Sequence, residues 1–216
     1  MNTIDFLSSI KDHAISGWEL YGILPSITGA QASLESANGT SNLAREANNI
    51  FGIKGDYKGS SYLHDTWEVN KFGQRIETQD WFRRYPDIQT SIIDRGEFFT
   101  STPWRKENYK EVIGETDYRN AAQALLNARY ATDPEYANKL IRFIEQYNLD
   151  EWDKEALTEK EPTSKKRPGT GNYEKHTFNY NYKENLAIKE KEEKDFFHTL
   201  KKGSLSAIRS LINKFN

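Results

Sequence analysis

Ala32-Ser33-Leu34-Glu35-Ser36-Ala37-Asn38-Gly39-Thr40-Ser41, followed by Asn48-Asn49-Ile50-Phe51-Gly52-Ile53-Lys54, is the part of this chain that decides how the rest is read. Ile27, Ala30, Leu34 and Ala37 recur at helical spacing behind Pro25, a residue suited to a first turn because its missing N–H would have had no partner there. Asn38-Gly39 is expected to stop that helix, since both residues take left-handed backbone angles at little cost. Glu35 then falls in the last turn, where the negative end of the helix dipole and apolar neighbours both disfavour its anion. Both effects move its pKa toward the range a general acid needs. The ordinary alternative is a solvated surface glutamate.

Leu34-Glu35-Ser36, Gly39-Thr40-Ser41 and Asn48-Asn49-Ile50-Phe51-Gly52-Ile53-Lys54-Gly55 together resemble the signature of glycoside hydrolase family 73. Its members are the peptidoglycan-cleaving glucosaminidases of bacterial autolysins, flagellar muralytic proteins and phage lysins. Thr66-Trp67-Glu68-Val69, Trp81-Phe82-Arg83-Arg84-Tyr85 and Tyr130-Ala131-Thr132-Asp133-Pro134-Glu135-Tyr136-Ala137 match later motifs of the family in the expected order. The resemblance spans about residues 3–150. It implies an α+β, lysozyme-like fold: a mainly helical lobe and a small β-hairpin lobe forming a glycan cleft. It also implies hydrolysis of the β-1,4 bond after N-acetylglucosamine in peptidoglycan. Ala37-Asn38 departs from the Gly-Trp pair that the family most often carries, which removes a large aromatic surface beside the acid.

The resemblance makes Glu35 the acid that protonates the leaving glycosidic oxygen, and Glu68 the candidate for the second carboxylate. A base activating water for inversion would lie about 6.5–9.5 Å from the acid, and a retaining nucleophile about 5–5.5 Å. Participation by the substrate's own 2-acetamido group would need neither. Tyr130 matches the family tyrosine near the reacting sugar, although a tyrosine just before a helix can equally fill a core. Asn49, Phe51, Trp67 and Tyr136 complete the candidate substrate-binding set, with packing as the alternative for Tyr136 and the β-lobe core for the aromatics; Trp81 is expected in that core. A muramidase or chitin-type hydrolase on the same fold, or an inactive wall-binding or virion component, are the competing readings.

Composition bounds these readings. The 216 residues, 36% hydrophobic, suffice for one good core. Apolar runs stay well short of the ~20 residues that cross a bilayer. The absence of cysteine rules out disulfides, Cys-ligated zinc and thiol nucleophiles. His13, His64, His176 and His198 show no paired ligand spacing, so neither a metal nor another cofactor is expected. There is no G-x-S-x-G, P-loop or dinucleotide fingerprint. Met1-Asn2-Thr3-Ile4-Asp5-Phe6 does not read as a signal peptide. With the resemblance, that points to action at the bacterial cell wall by a phage-encoded protein, released into or carried to the host, or by a trimmed secreted autolysin.

Along the chain, Ile4, Leu7, Ile10 and Ala14 predict a first helix ended by Gly17, packed on the Glu35 helix. Tyr62–Val69 and Gln74–Phe82 read as two strands joined through Asn70-Lys71-Phe72-Gly73. Helices follow near residues 88–99, 118–129 and 134–147, the last opened by the capping-box pattern of Thr132-Asp133-Pro134-Glu135. The catalytic domain is expected to be 1–152, followed by a polar linker with an aromatic patch over 153–182 and a basic amphipathic helical tail over 183–216. Net charge is −6 over 1–152 and +4 over 153–216. The tail suits anionic wall polymers, a membrane surface, a protein partner or the domain itself. No nucleic-acid partner is expected.

Overall fold

The computed structural model describes residues 2–69 and 74–158, with Trp67, Glu68, Val69 and Arg75 described by their backbone. The hairpin turn at 70–73 and both segments expected beyond α8 lie outside the described residues. Eight helices and two strands run in the order α1 Thr3–Tyr21, α2 Pro25–Ser36, α3 Asn42–Ala47, β1 Ser61–Val69, β2 Arg75–Arg83, α4 Ile88–Thr100, α5 Pro103–Asn108, α6 Tyr118–Asn127, α7 Tyr136–Tyr147 and α8 Asp150–Thr158 among the described residues. The described helices and hairpin give the mainly helical, lysozyme-like α+β architecture that the resemblance implies.

Helix α2 is the axis of the domain. From Pro25 to Ser33 it is buried on every side, enclosed by α1, α7 and α8. Asp153 of α8 accepts from both the backbone N–H and the hydroxyl of Ser26, at 2.8 and 2.5 Å, and so satisfies donors at the N-terminus of α2. Burial pushes the Asp153 carboxyl up to about 6 against the pull of those two bonds. Trp152, the last residue of the expected catalytic domain, and Asp153, the first of the expected linker, are both buried parts of α8.

The first helix also overruns its expected end. Gly17 lies inside α1, and the chain stops at Tyr21, where Gly22 takes the left-handed cap (φ +66°) and donates to Trp18 O at 2.8 Å. Trp18 and Tyr21 pack on the core, which outweighs the ~1 kcal/mol helix penalty of a glycine. The capping box before α7 does not form. The helix begins at Tyr136 with Glu135 as a cap lacking a side-chain bond, while Asp133 is bound instead to Glu135 N and Lys139.

Strands β1 and β2 pair antiparallel with Leu63 opposite Trp81 and Tyr62 opposite Phe82. Because successive side chains alternate between faces, only one of Trp81 and Phe82 can face inward. Phe82 does, against Leu43 and Ala47 of α3, and Trp81 is left 53% exposed. This corrects the expectation that Trp81 is core. At its end β2 is fastened to α4 by a bidentate pair from Arg83 Nη1 to Asp94, at 2.8 and 2.6 Å, and by Tyr85 Oη donating to Asp94 Oδ2 at 2.6 Å.

Candidate active site

The turn after α2 positions Glu35. Ala37, Asn38 and Gly39 all take positive φ (51°, 55° and 72°), so the helix ends one residue earlier than the sequence suggests. Ser36 holds this left-handed turn by donating its hydroxyl to Ala32 O at 2.5 Å and accepting from Gly39 N at 2.7 Å. Gly39 also needs to be glycine for space, since a Cβ there would come within 2.7 Å of the Phe6 ring. Leu34 and Glu35 are the residues of the last turn that leave the core for solvent, while Ser33 and Ser36 remain buried.

Glu35 reaches solvent on one side, yet the protein packed around its carboxyl removes much of the water that would stabilise an anion. Burial accordingly raises its pKa above the ordinary value, and the hydrogen bond from Tyr136 and the charge of Arg95 pull it partly back. Tyr136 Oη donates to Glu35 Oε1 at 2.9 Å and accepts from Gln31 Nε2 at 2.9 Å. Gln31 Oε1 accepts from Arg95 Nη2. Arg95 is 1% exposed, its guanidinium against the Phe51 and Phe99 rings at 4.8 and 5.0 Å. Burial lowers the Arg95 pKa, opposed by Tyr130, Tyr136 and Glu35.

Tyr130 belongs to the same cluster. Its ring stacks beside Tyr136 (5.8 Å) and meets Phe99 edge-on (5.8 Å). The charge of Arg95 acts on its hydroxyl, against the effect of burial. Burial and the charge of Glu35 raise both tyrosine pKa values, which keeps both hydroxyls protonated.

The structure thus brings together Glu35, Tyr130, Tyr136 and Phe51 of the expected set. Tyr136 is buried with its hydroxyl between Gln31 and Glu35. Phe51, also buried, stacks on Arg95. Asn49 is buried as well. It is 1% exposed and its amide is spent on the backbone, donating to Ile53 O and Arg83 O at 2.9 Å each and accepting from Ile53 N at 3.1 Å. It staples the 49–53 loop to the end of β2. Glu68 lies on β1 opposite Ile76, and Trp67 opposite Glu77; their side chains are outside what is described.

Arg95 and Gln31 were missed by the sequence reading, although a signal was present. Thr28, Gln31 and Glu35 follow one another at intervals of three and four residues, a polar stripe on a helix otherwise surrounded by apolar positions. Ile92, Arg95 and Phe99 recur in the same way on α4 and place Arg95 on the inward face.

A carboxyl at a helix end, backed by a buried tyrosine and arginine, thus sits on a mainly helical, lysozyme-like domain with one hairpin among the described residues. Residues 11–149 match the glucosaminidase family, described as mannosyl-glycoprotein endo-beta-N-acetylglucosaminidase, and the chain belongs to that family. It is similar to the Exo-glucosaminidase LytG of Bacillus subtilis (strain 168), 46% identical over 149 residues, covering 68% of this chain and 52% of the relative. It is also similar to a "Probable N-acetylmuramidase" of Lactococcus lactis subsp. lactis (strain IL1403), 36% identical over 155 residues, covering 70% of this chain and 35% of the relative. The chain thus spans about half, or less, of the length of these relatives. Among solved structures, the catalytic domain of the autolysin Auto from Listeria monocytogenes superimposes with a TM-score of 0.65 at 34% identity, covering 69% of this chain and 86% of that one.

Proposed function

We propose that this chain hydrolyses the β-1,4 bond after N-acetylglucosamine within peptidoglycan glycan strands, with Glu35 as general acid. The observation that carries the reading is the state of Glu35. Its carboxyl is raised in pKa by burial, held at Oε1 by Tyr136, and open to solvent, with Tyr130 near enough to feel its charge. Such a carboxyl stays protonated long enough to give its proton to a leaving oxygen as the glycosidic bond breaks.

Tyr130 suits the hydroxyl that steadies the reacting sugar or the attacking water. Glu68 on β1 is the candidate base, delivered by the hairpin, with the substrate's acetamido group as the alternative source of assistance. Trp67 on the same strand is proposed to stack on a sugar face. The basic segment 153–216, with its charge of +4, suits attraction to anionic wall polymers. A second reading, cleavage after N-acetylmuramic acid, is favoured by the name of the Lactococcus relative.

Digestion of purified peptidoglycan, followed by borohydride reduction and mass spectrometry, separates these readings. Reduced N-acetylglucosamine at the new chain ends, on fragments of many lengths, is the expected result. Reduced N-acetylmuramic acid would move the assignment to the second reading. Release of terminal sugars alone would mark an exo-acting enzyme, as the name of the Bacillus relative suggests.

A further inference from the structure

Behind Glu35 lies a run of polar groups buried away from solvent: Arg95 from α4, Gln31 from α2 and Tyr136 from α7. The sense of each hydrogen bond in it follows from the first. Arginine can only donate. Arg95 donates to Gln31 Oε1 through Nη2 and to Thr28 Oγ1 through Nη1 at 3.2 Å. With its oxygen committed to α4, Gln31 must turn its NH2 toward α7, where Nε2 donates to Tyr136 Oη at 2.9 Å. The single Tyr136 hydroxyl proton is then directed at Glu35 Oε1, also at 2.9 Å.

We infer that Arg95 is a positioning residue acting through Gln31 and Tyr136, which hold Glu35 Oε1 as a permanent acceptor so that the transferable proton sits on Oε2. The inference rests on Glu35 being the general acid. In the step it orders, the Oε2–H bond breaks and an O–H bond forms on the leaving glycosidic oxygen, which keeps the electron pair of the broken C–O bond. The carboxylate left behind accepts from Tyr136 without any reorientation of the relay. The Phe51 and Phe99 rings both lie against the guanidinium, and Arg95 Nε is buried with no hydrogen-bond partner among the described residues. An apolar side chain would fill this space without the desolvation cost of a buried cation; what it could not do is orient Gln31.

Three variants and the wild type decide the matter on soluble glycan-strand fragments. Tyr136→Phe removes the hydroxyl that donates to Glu35. Gln31→Glu reverses the relay, since a carboxylate there accepts from Arg95 and Tyr136 together and leaves Glu35 without its donor. Each is expected to lower kcat about tenfold with KM nearly unchanged, and to move the alkaline limb of the pH profile upward because the Glu35 anion has lost a hydrogen bond. The charged or titratable side chains acting on Glu35 among the described residues are Tyr136, Tyr130 and Arg95. The tyrosines titrate far above this limb and arginine stays charged, so the limb reports Glu35.

If Glu35→Gln in the same assay still cuts at the wild-type rate, the general-acid reading falls. If Glu35→Gln is inert while the limb of a folded Tyr136→Phe or Gln31→Glu stays at the wild-type position, the relay falls and the reading stands. Should neither relay variant fold, the 13Cζ resonance of Tyr136 in the wild type gives the decision. It is expected to titrate with Glu35, and a flat response across that titration overturns the relay.

Discussion

Replacing Glu35 with glutamine is expected to lower the rate of glycan cleavage by roughly 10²–10⁴-fold, the contribution of a positioned general acid, while the protein stays folded. Glutamine keeps the size of the side chain and a carbonyl oxygen that can accept from Tyr136 in place of Glu35 Oε1. It has no proton to give to a leaving oxygen. The loss should appear in kcat and leave binding of glycan fragments nearly intact, because the group acts in the transition state. Stability carries a second sign. The pKa of Glu35 is raised by burial, so the folded protein holds the proton more tightly than the unfolded chain does. As pH rises through the ordinary carboxylate value toward the raised one, ionisation becomes more costly in the folded state than in the unfolded chain, and stability falls. Near neutral pH the neutral amide removes that cost, and the melting temperature of Glu35→Gln is expected to equal or exceed the wild-type value. A folded variant that cuts at the wild-type rate would rule Glu35 out.

The largest expected effect on stability is at Gly96 of α4. A Cβ there would lie 2.2 Å from Cδ2 and 2.6 Å from Cγ of the buried Tyr21 ring, so the root of the ring itself must move and α1 must separate from α4. Overpacking of this kind costs about 1–3 kcal/mol or more. Alanine returns about 1 kcal/mol of helix propensity, which leaves Gly96→Ala destabilising on balance. Gly17 of α1 is the matched contrast. Its added Cβ would meet Ile92 Cγ2 at 3.6 Å, an ordinary contact, so the propensity gain is unopposed. Thermal melts are expected to fall for Gly96→Ala and to hold or rise for Gly17→Ala, at roughly 2–4 °C per kcal/mol for a domain of this size. Equal shifts in both would contradict the packing described between α1 and α4.

Much of this architecture is legible in the sequence because it is written in periodicity. The apolar spacing of α2, the alternation in β1 and β2 and the stripes of α4, α6 and α7 each follow from one buried face. What escaped the reading depends on partners distant along the chain. Gly17 looks like a helix stop until Ile92 is placed beside it, and Asp153 looks like the start of a linker until Ser26 is placed against it. Trp81 and Phe82 are equally apolar neighbours, and only the strand register decides which one faces α3. In the site, Glu35, Tyr130 and Tyr136 were found through motifs. Asn49 belongs to the same motif yet spends its amide on Ile53 and Arg83. The isolated Arg95 reads as a surface charge unless the inward positions of Ile92 and Phe99 are weighed with it.

The central claim is that Glu35 is a carboxyl kept protonated by its surroundings and used as an acid. A 13C NMR titration of the Glu35 side-chain carboxyl, set beside the pH dependence of kcat/KM for the same protein, tests it most directly. The account predicts a midpoint above the ordinary glutamate value of 4.5, coinciding with the pH at which activity falls on the alkaline side. A midpoint at or below 4.5, or an alkaline limb unrelated to it, would contradict the account.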